Sequence, residues 1–219
     1  MGRQQTTPGQ PCRLIKIGVT GGVGSGKSLV CRRLQASGVP VASADQLARQ
    51  AVEPHTRAYK QIVKRFGKDI LTADGTIDRP RLRQIITQDE AARRDLESYV
   101  HPEVGVQMQK HFRSAAAQGA WLAAVEVPLL FEAGLQDQFD AVILVSGDTE
   151  VRIHRIMQRD NVSRQQARAL MHIQMDEAQK WRMSDFIIEN SASIDQMHGQ
   201  VDRVLEKLVE KYKKIGENG

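Results

Sequence analysis

Two hydrophobic patterns alternate along the chain. Short, almost continuous apolar runs occur at 14–19, 39–42, 121–127, 139–145 and 184–190. Runs of this length bounded by turn residues predict strands buried on both faces, as in a parallel sheet. Between them, apolar residues recur at three- and four-residue steps, which is helical spacing. A helix starts at Leu29 and runs to about Ser37, where Gly38 stops it. A second runs from Glu150 to Asp160 and a short polar one from Arg164 to His172, the latter opened by a Ser163/Gln166 capping box. The closing helix places Ile194, Met197, Val201, Val204, Leu205, Leu208 and Tyr212 on one core-facing stripe.

Residues 54–119 read differently, because strand signals are nearly absent. Apolar sets at Ala58-Tyr59-Ile62-Val63-Phe66, Leu82-Ile85-Ile86 and Leu96-Tyr99-Val100 predict successive helices, with a further helix starting after His101-Pro102 and carrying Val104, Val106, Met108 and Phe112. Gly67 and Asp74-Gly75 mark turns. The expected fold class is α/β, a parallel β-sheet flanked by helices. One domain spans 13–219, with its core at 13–53 and 120–215, an inserted helical lobe at 54–119 and a helical lid at about 150–183. Residues 1–12 lack a hydrophobic core and read as a disordered N-terminal tail. Trp121 and Trp181 are expected to be packing residues.

Composition narrows the partners. Lys plus Arg outnumber Asp plus Glu by 31 to 26, so the formal charge of +5 favours an anionic ligand. The positive residues are scattered and only 5% of residues are aromatic, which favours a small anion over nucleic acid. No apolar run reaches membrane-spanning length; Ala120–Val125 is broken by Glu126. Cys12 and Cys31 form neither a disulfide framework nor a metal-ligand spacing, and the six histidines form no ligand pair. Reduced thiols and a cytoplasmic setting follow, with Cys31 as a small core residue.

The chemistry is carried by Gly21-Gly22-Val23-Gly24-Ser25-Gly26-Lys27-Ser28, which fits Gly-x-x-x-x-Gly-Lys-Ser between a strand and a helix. Such a loop turns successive backbone N–H groups toward phosphate oxygens, and the helix dipole adds positive potential. Lys27 is placed to reach the β- and γ-phosphates and the Ser28 hydroxyl to ligate Mg²⁺. A nucleoside triphosphate is the expected ligand, on a P-loop NTPase fold.

Further residues fall on the same rim. Asp45 follows the second strand, where ligands sit in open α/β sheets, although it or Ser43 could equally cap the next helix. Glu126, near the end of its strand, is a candidate for holding the metal through water. Arg152, Arg155 and Arg159 share a helix face; a solvated basic surface competes with a role beside a transferring phosphoryl group. No Asn-Lys-x-Asp segment is present to read guanine. The set suits a small-molecule kinase, with a nucleoside monophosphate kinase or a non-catalytic ATP-binding regulatory module as alternatives.

The motifs also carry a family resemblance. Thr20–Ser28, Ala44-Asp45-Gln46-Leu47-Ala48-Arg49, Phe66-Gly67, Asp74-Gly75-Thr76-Ile77-Asp78-Arg79, Leu96-Glu97, His101-Pro102, Val127-Pro128-Leu129-Leu130-Phe131-Glu132, Arg155 with Arg159-Asp160, Gln174 and Asp185–Asn190 occur in that order. Together they resemble the dephospho-coenzyme A kinases from Ile15 to about Val204. The resemblance implies transfer of the ATP γ-phosphoryl to the ribose 3′-hydroxyl of dephospho-coenzyme A, giving coenzyme A. It implies catalytic roles for Asp45, Lys27, Arg155 and Arg159. It also implies nucleotide binding by Gly22, Val23, Gly24, Ser25, Gly26, Lys27, Ser28, Leu29 and Asn190, the last near adenine. Substrate contacts are implied for His101, Pro128, Leu129 and Glu132. ATP and Mg²⁺ are the expected cofactors, with no nucleic-acid or membrane partner and a monomer or weak homo-oligomer. Two positions depart from the family pattern: Ser43 replaces an Asp, and Leu29 replaces the Thr that follows Gly-Lys-Ser.

Overall fold

A computed structural model describes residues 13–216, with side chains through 212. The expected N-terminal tail and Cys12 lie outside the described residues. Five strands, β1 (Ile15–Thr20), β2 (Val41–Ser43), β3 (Leu122–Glu126), β4 (Ala141–Ser146) and β5 (Phe186–Glu189), form one sheet in the order β2-β3-β1-β4-β5. Every neighbouring pair is parallel. Nine helices connect the strands among the described residues: α1 (Lys27–Ala36), α2 (Ala44–Ala51), α3 (Arg57–Phe66), α4 (Arg79–Gln88), α5 (Glu90–Ala117), α6 (Thr149–Asp160), α7 (Arg164–His172), α8 (Glu177–Met183) and α9 (Ile194–Gly216).

Both faces of the sheet are covered, as the near-continuous apolar runs require. On one face Ile15, Ile17, Val19, Leu122, Ala124, Ile143 and Val145 pack with Val30, Cys31 and Leu34 of α1 and Met197, Val201, Val204 and Leu208 of α9. The alternate residues Ala123, Val125 and Val142 meet Leu47, Met108, Phe112, Leu130 and Phe139 on the other. Period-two alternation within each strand divides the two cores. Cys31 is buried, as expected, and burial, together with the charge and hydrogen bond of Glu126, pushes its thiol up to about 12. Residues 58–100 have a separate core, in which Ala58, Ile62, Ile70, Ile77 and Leu82 pack with Tyr59, Phe66, Leu96 and Tyr99. A fourth cluster joins Ile153 and Ile156 of α6 and Ala167 of α7 to Val23 in the glycine loop.

Four expectations need correction. The helical boundary placed at His101-Pro102 is absent; α5 runs unbroken through Pro102 for 28 residues. Its first turn is capped by Asp89, and Ala92 on one side of the proline and Met108, Phe112 and Ala115 on the other are all buried, so packing holds both halves in register. Ile194 is 57% exposed rather than buried, because it opens α9 one turn before the stripe meets the sheet at Met197. Trp121 and Trp181 are 38% and 44% exposed, so neither is a core packing residue. Helix α8 is also additional to the expected elements; the Asp176 carboxylate starts it by accepting from the Ala178 N–H.

Proline in a helix interior removes one backbone hydrogen bond and crowds the preceding turn. Pro102 is exposed, so Pro102→Ala should raise the unfolding free energy by up to about 3 kcal/mol. Urea unfolding monitored by circular dichroism checks this, and a lower midpoint would show that the ring is needed for packing.

Candidate active site

The sheet register places three strand ends at one level. Val19 of β1 and Ser43 of β2 are both paired with Glu126, the last residue of β3. The glycine loop begins two residues after Val19, and Asp45 lies two residues after Ser43. The loop, Glu126 and Asp45 therefore share the C-terminal edge of the sheet. This is where the strand order reverses around β1 and β3, the usual crevice of an open α/β sheet.

Close approaches enforce the glycines. A Cβ on Gly22 would lie 2.0 Å from Nη2 of Arg152. Gly26 has a φ of 88° as the N-cap of α1, and a Cβ there would lie 2.1 Å from Nδ2 of Asn190. That amide donates to the Ser25 carbonyl at 2.8 Å, and Asn190 is only 3% exposed. Asn190 therefore underpins the loop, and its side-chain donor is engaged there rather than presented to a base. Leu29 packs against the sheet core from α1.

Lys27 folds back over the loop, its Nζ donating to the carbonyls of Gly21 at 2.9 Å and Gly22 at 3.1 Å. Burial lowers its pKa to about 8; Glu126 opposes the shift, and the positive charges of Lys180, Arg152 and Arg159 reinforce it. Ser28 is exposed, and its Oγ lies 3.4 Å from Oε1 of Glu126. A hydroxyl and a carboxylate together offer hard oxygen donors. No group of three or more His, Cys, Asp or Glu side chains that could hold a metal forms among the described residues. Asp45 stands in the first turn of α2 with its residue exposed. Ser43, at the N-cap, makes no side-chain cap bond, so that alternative use of the Ser43 hydroxyl is not realised.

The three arginines of α6 separate. Arg152 is 4% exposed; its Nε donates to the Val23 carbonyl at 3.0 Å and its Nη1 pairs with Glu177. Glu177 accepts a further hydrogen bond from the Ser146 hydroxyl at 2.7 Å. Arg155 is half-buried and reaches the Gly24 carbonyl at 3.4 Å. Arg159 is turned to its neighbour, with Nε and Nη2 each 2.8 Å from the Asp160 carboxylate. Arg164 and Arg168 of α7 both pair with Glu150 of α6.

The expected substrate contacts are dispersed. His101 is exposed on α5, Leu129 is 49% exposed after β3, and the Pro128 carbonyl accepts from Thr20 Oγ1 at 3.5 Å. Glu132 is engaged elsewhere, accepting from the Met175 N–H at 3.0 Å and pairing at 2.8 Å with Lys180, which is 1% exposed. Burial works against ionisation of Glu132, but those contacts outweigh it and hold the carboxyl below its ordinary value. A cleft of about 520 Å³ lies between the loop and α6–α8, bordered by Gly22, Arg152, Arg168, Gln174, Glu177 and Lys180; Asp45 and His101 do not line it. Glu177 and Lys180 were not among the expected site residues, and Arg152 was expected only as one of three arginines on a shared helix face. The chain pattern holds no signal for a buried ion pair, and only the step from Arg152 to Arg155 hinted at a functional face.

The low pKa of Lys27 has a directional consequence. Below pH 8 its ammonium is present before ligand arrives; above pH 8 a bound phosphate must draw in a proton. MgATP affinity should therefore weaken about tenfold between pH 7 and pH 9, with proton uptake visible in calorimetry across buffers of different ionisation enthalpy. An affinity that is flat across this range would contradict it.

Comparisons with known proteins give the chain's relatives. Residues 15–196 match the family model described as dephospho-CoA kinase. The chain is 38% identical over 196 residues to a dephospho-CoA kinase of Syntrophotalea carbinolica, covering 90% of this chain and 93% of the relative. Among solved structures, a Thermus thermophilus protein superposes with a TM-score of 0.73 at 31% identity, covering 89% of this chain and 98% of the other. The dephospho-CoA kinase from Campylobacter jejuni superposes with a TM-score of 0.69 at 27% identity, covering 90% and 98%. With the family pattern spanning the sheet, the loop and both strand-end carboxylates, the chain belongs to the dephospho-CoA kinase family.

Proposed function

We propose that this chain transfers the γ-phosphoryl group of ATP to the ribose 3′-hydroxyl of dephospho-coenzyme A, with Asp45 as the residue that receives the hydroxyl proton. The observation that carries the reading is the common level of Val19, Ser43 and Glu126, which sets the donor loop and Asp45 on one sheet edge. Asp45 is exposed there, in the first turn of α2.

In the step itself, the 3′-oxygen attacks the γ-phosphorus as its proton passes to the Asp45 carboxylate. The bond to the β–γ bridging oxygen breaks and ADP leaves with that oxygen. Positioning and charge neutralisation do most of the work in such transfers. The α1 N-terminus and Lys27 supply both on the donor side. To meet the phosphate, Lys27 exchanges its two loop carbonyls for phosphate oxygens, a favourable trade for an ammonium. Arg155 is already near the loop at Gly24, whereas Arg159 must release Asp160 to reach the transferring group.

Ser28 and, through water, Glu126 fit Mg²⁺, because both are oxygen donors on the phosphate side of the loop. The ion would neutralise charge on the β- and γ-phosphate oxygens. The separately cored helices α3–α5 make the acceptor side, with His101 and Leu129 as exposed surface for dephospho-coenzyme A. Helices α6–α8 make the lid. Adenine lies beyond Asn190, against its neighbours rather than its amide. No helix among the described residues is long and apolar enough to cross a membrane, and we read the enzyme as cytoplasmic, a monomer or weak homo-oligomer.

A coupled ADP assay with MgATP and a panel of acceptors tests the assignment. Turnover should require dephospho-coenzyme A, and equal or greater turnover with a nucleoside monophosphate would overturn it. Asp45→Asn should leave MgATP binding intact while kcat falls about a hundredfold or more. An unchanged rate would remove Asp45 from the chemistry.

A further inference from the structure

The glycine loop is gripped on both sides of the Val23 Cα by residues far along the chain. The Val23 N–H donates to Oε1 of Gln174 at 2.8 Å, across 151 positions. Its carbonyl accepts from Nε of Arg152 at 3.0 Å, across 129 positions. Arg152 is held in turn by Glu177, and Glu177 by the hydroxyl of Ser146 at the end of β4. Glu132 fastens the same segment to the sheet side through the Met175 N–H and Lys180. Residues 174–180 are thus tied to the body of the protein at one end and to the loop at the other.

We propose that Gln174 is a positioning residue for the donor loop, setting the orientation of the Gly22–Val23 peptide and so coupling segment 174–180 to ATP binding. The proposal rests on the phosphoryl-transfer reading above and names how that site is held in shape. The Val23 N–H belongs to the Gly22–Val23 peptide and the Val23 carbonyl to the Val23–Gly24 peptide, so the two bonds fix the planes on either side of the Val23 Cα. On the first of these planes the Gly22 carbonyl accepts from the Ser25 N–H at 3.2 Å and from Lys27 at 3.1 Å, which leaves the plane to pivot about that end. Gln174 removes that pivot. The N–H groups of Gly24 and Gly26 that follow are then held ready for the phosphates. Because Gln174 also borders the cleft, a ligand that draws the segment inward tightens the loop, and a bound triphosphate holds the segment in return. Glutamine is required only as an acceptor here: the contact uses its oxygen, and half-burial shields it from competing water.

Gln174→Leu keeps the bulk and removes the acceptor, whereas Gln174→Glu keeps an acceptor oxygen at the same reach. With active parent enzyme as reference, the leucine variant should raise KM for MgATP about tenfold. Its KM for dephospho-coenzyme A should stay within about twofold, and the glutamate variant should recover most of the lost MgATP affinity. An unchanged KM for MgATP in the leucine variant, or equal increases for both substrates, would overturn the proposal. Amide hydrogen exchange on the parent gives a readout independent of turnover and of the variants' folding. The Val23 amide should be protected in the nucleotide-free chain, and free exchange at that position would also overturn the proposal. Absence of turnover in the parent would instead count against the assigned reaction, leaving the exchange result to decide the role of Gln174.

Discussion

The site depends on one desolvated charge, the guanidinium of Arg152. A buried cation is tolerated only when its donors are matched, and here Glu177 and the Val23 carbonyl match them. The arginine lies so close over Gly22 that a side chain there would displace the guanidinium. Removing the arginine would leave Glu177 half-buried and unpaired and would free the loop peptide at once. The residue that reads along the chain as one of three equivalent helix-face arginines is therefore the one that holds the loop. Its neighbours Arg155 and Arg159 remain nearer to solvent, where a ligand can recruit them.

This arrangement separates shaping from chemistry. Asn190 beneath Gly26, Arg152 over Gly22 and Gln174 beside Val23 build the loop from three directions, each through a contact to backbone. Lys27 and Ser28 are left at its mouth, bound only by contacts that a phosphate or a cation can replace. Burial lowers the pKa of Lys27 against the opposing charge of Glu126, the positive Lys180, Arg152 and Arg159 add to the shift, and a triphosphate is the natural counterweight to those cations.

Much of the fold was legible because the signals are local. Near-continuous apolar runs marked all five strands, Gly38 stopped α1, and the Ser163/Gln166 capping box opened α7 as expected. The donor loop was legible for the same reason, since its spacing is a backbone requirement. What was not legible shares a cause in tertiary contact. Proline is a local breaker, but α5 passes through Pro102 because buried residues on either side hold it. Asn190 belongs to the nucleotide motif, yet its amide serves the loop from 165 positions away. Glu132 lies in a specific motif, and the structure turns it toward Lys180. No periodicity reports a partner so distant in the chain.

The central claim is that a phosphoryl group moves from the loop to a ribose hydroxyl of dephospho-coenzyme A. The most direct measurement is a single turnover with ATP labelled at the γ-phosphorus, followed by phosphorus and proton NMR of the acceptor product. The account predicts the label on the ribose 3′-oxygen, with one ADP formed for each product. Label released as inorganic phosphate at the same rate with and without acceptor would contradict it.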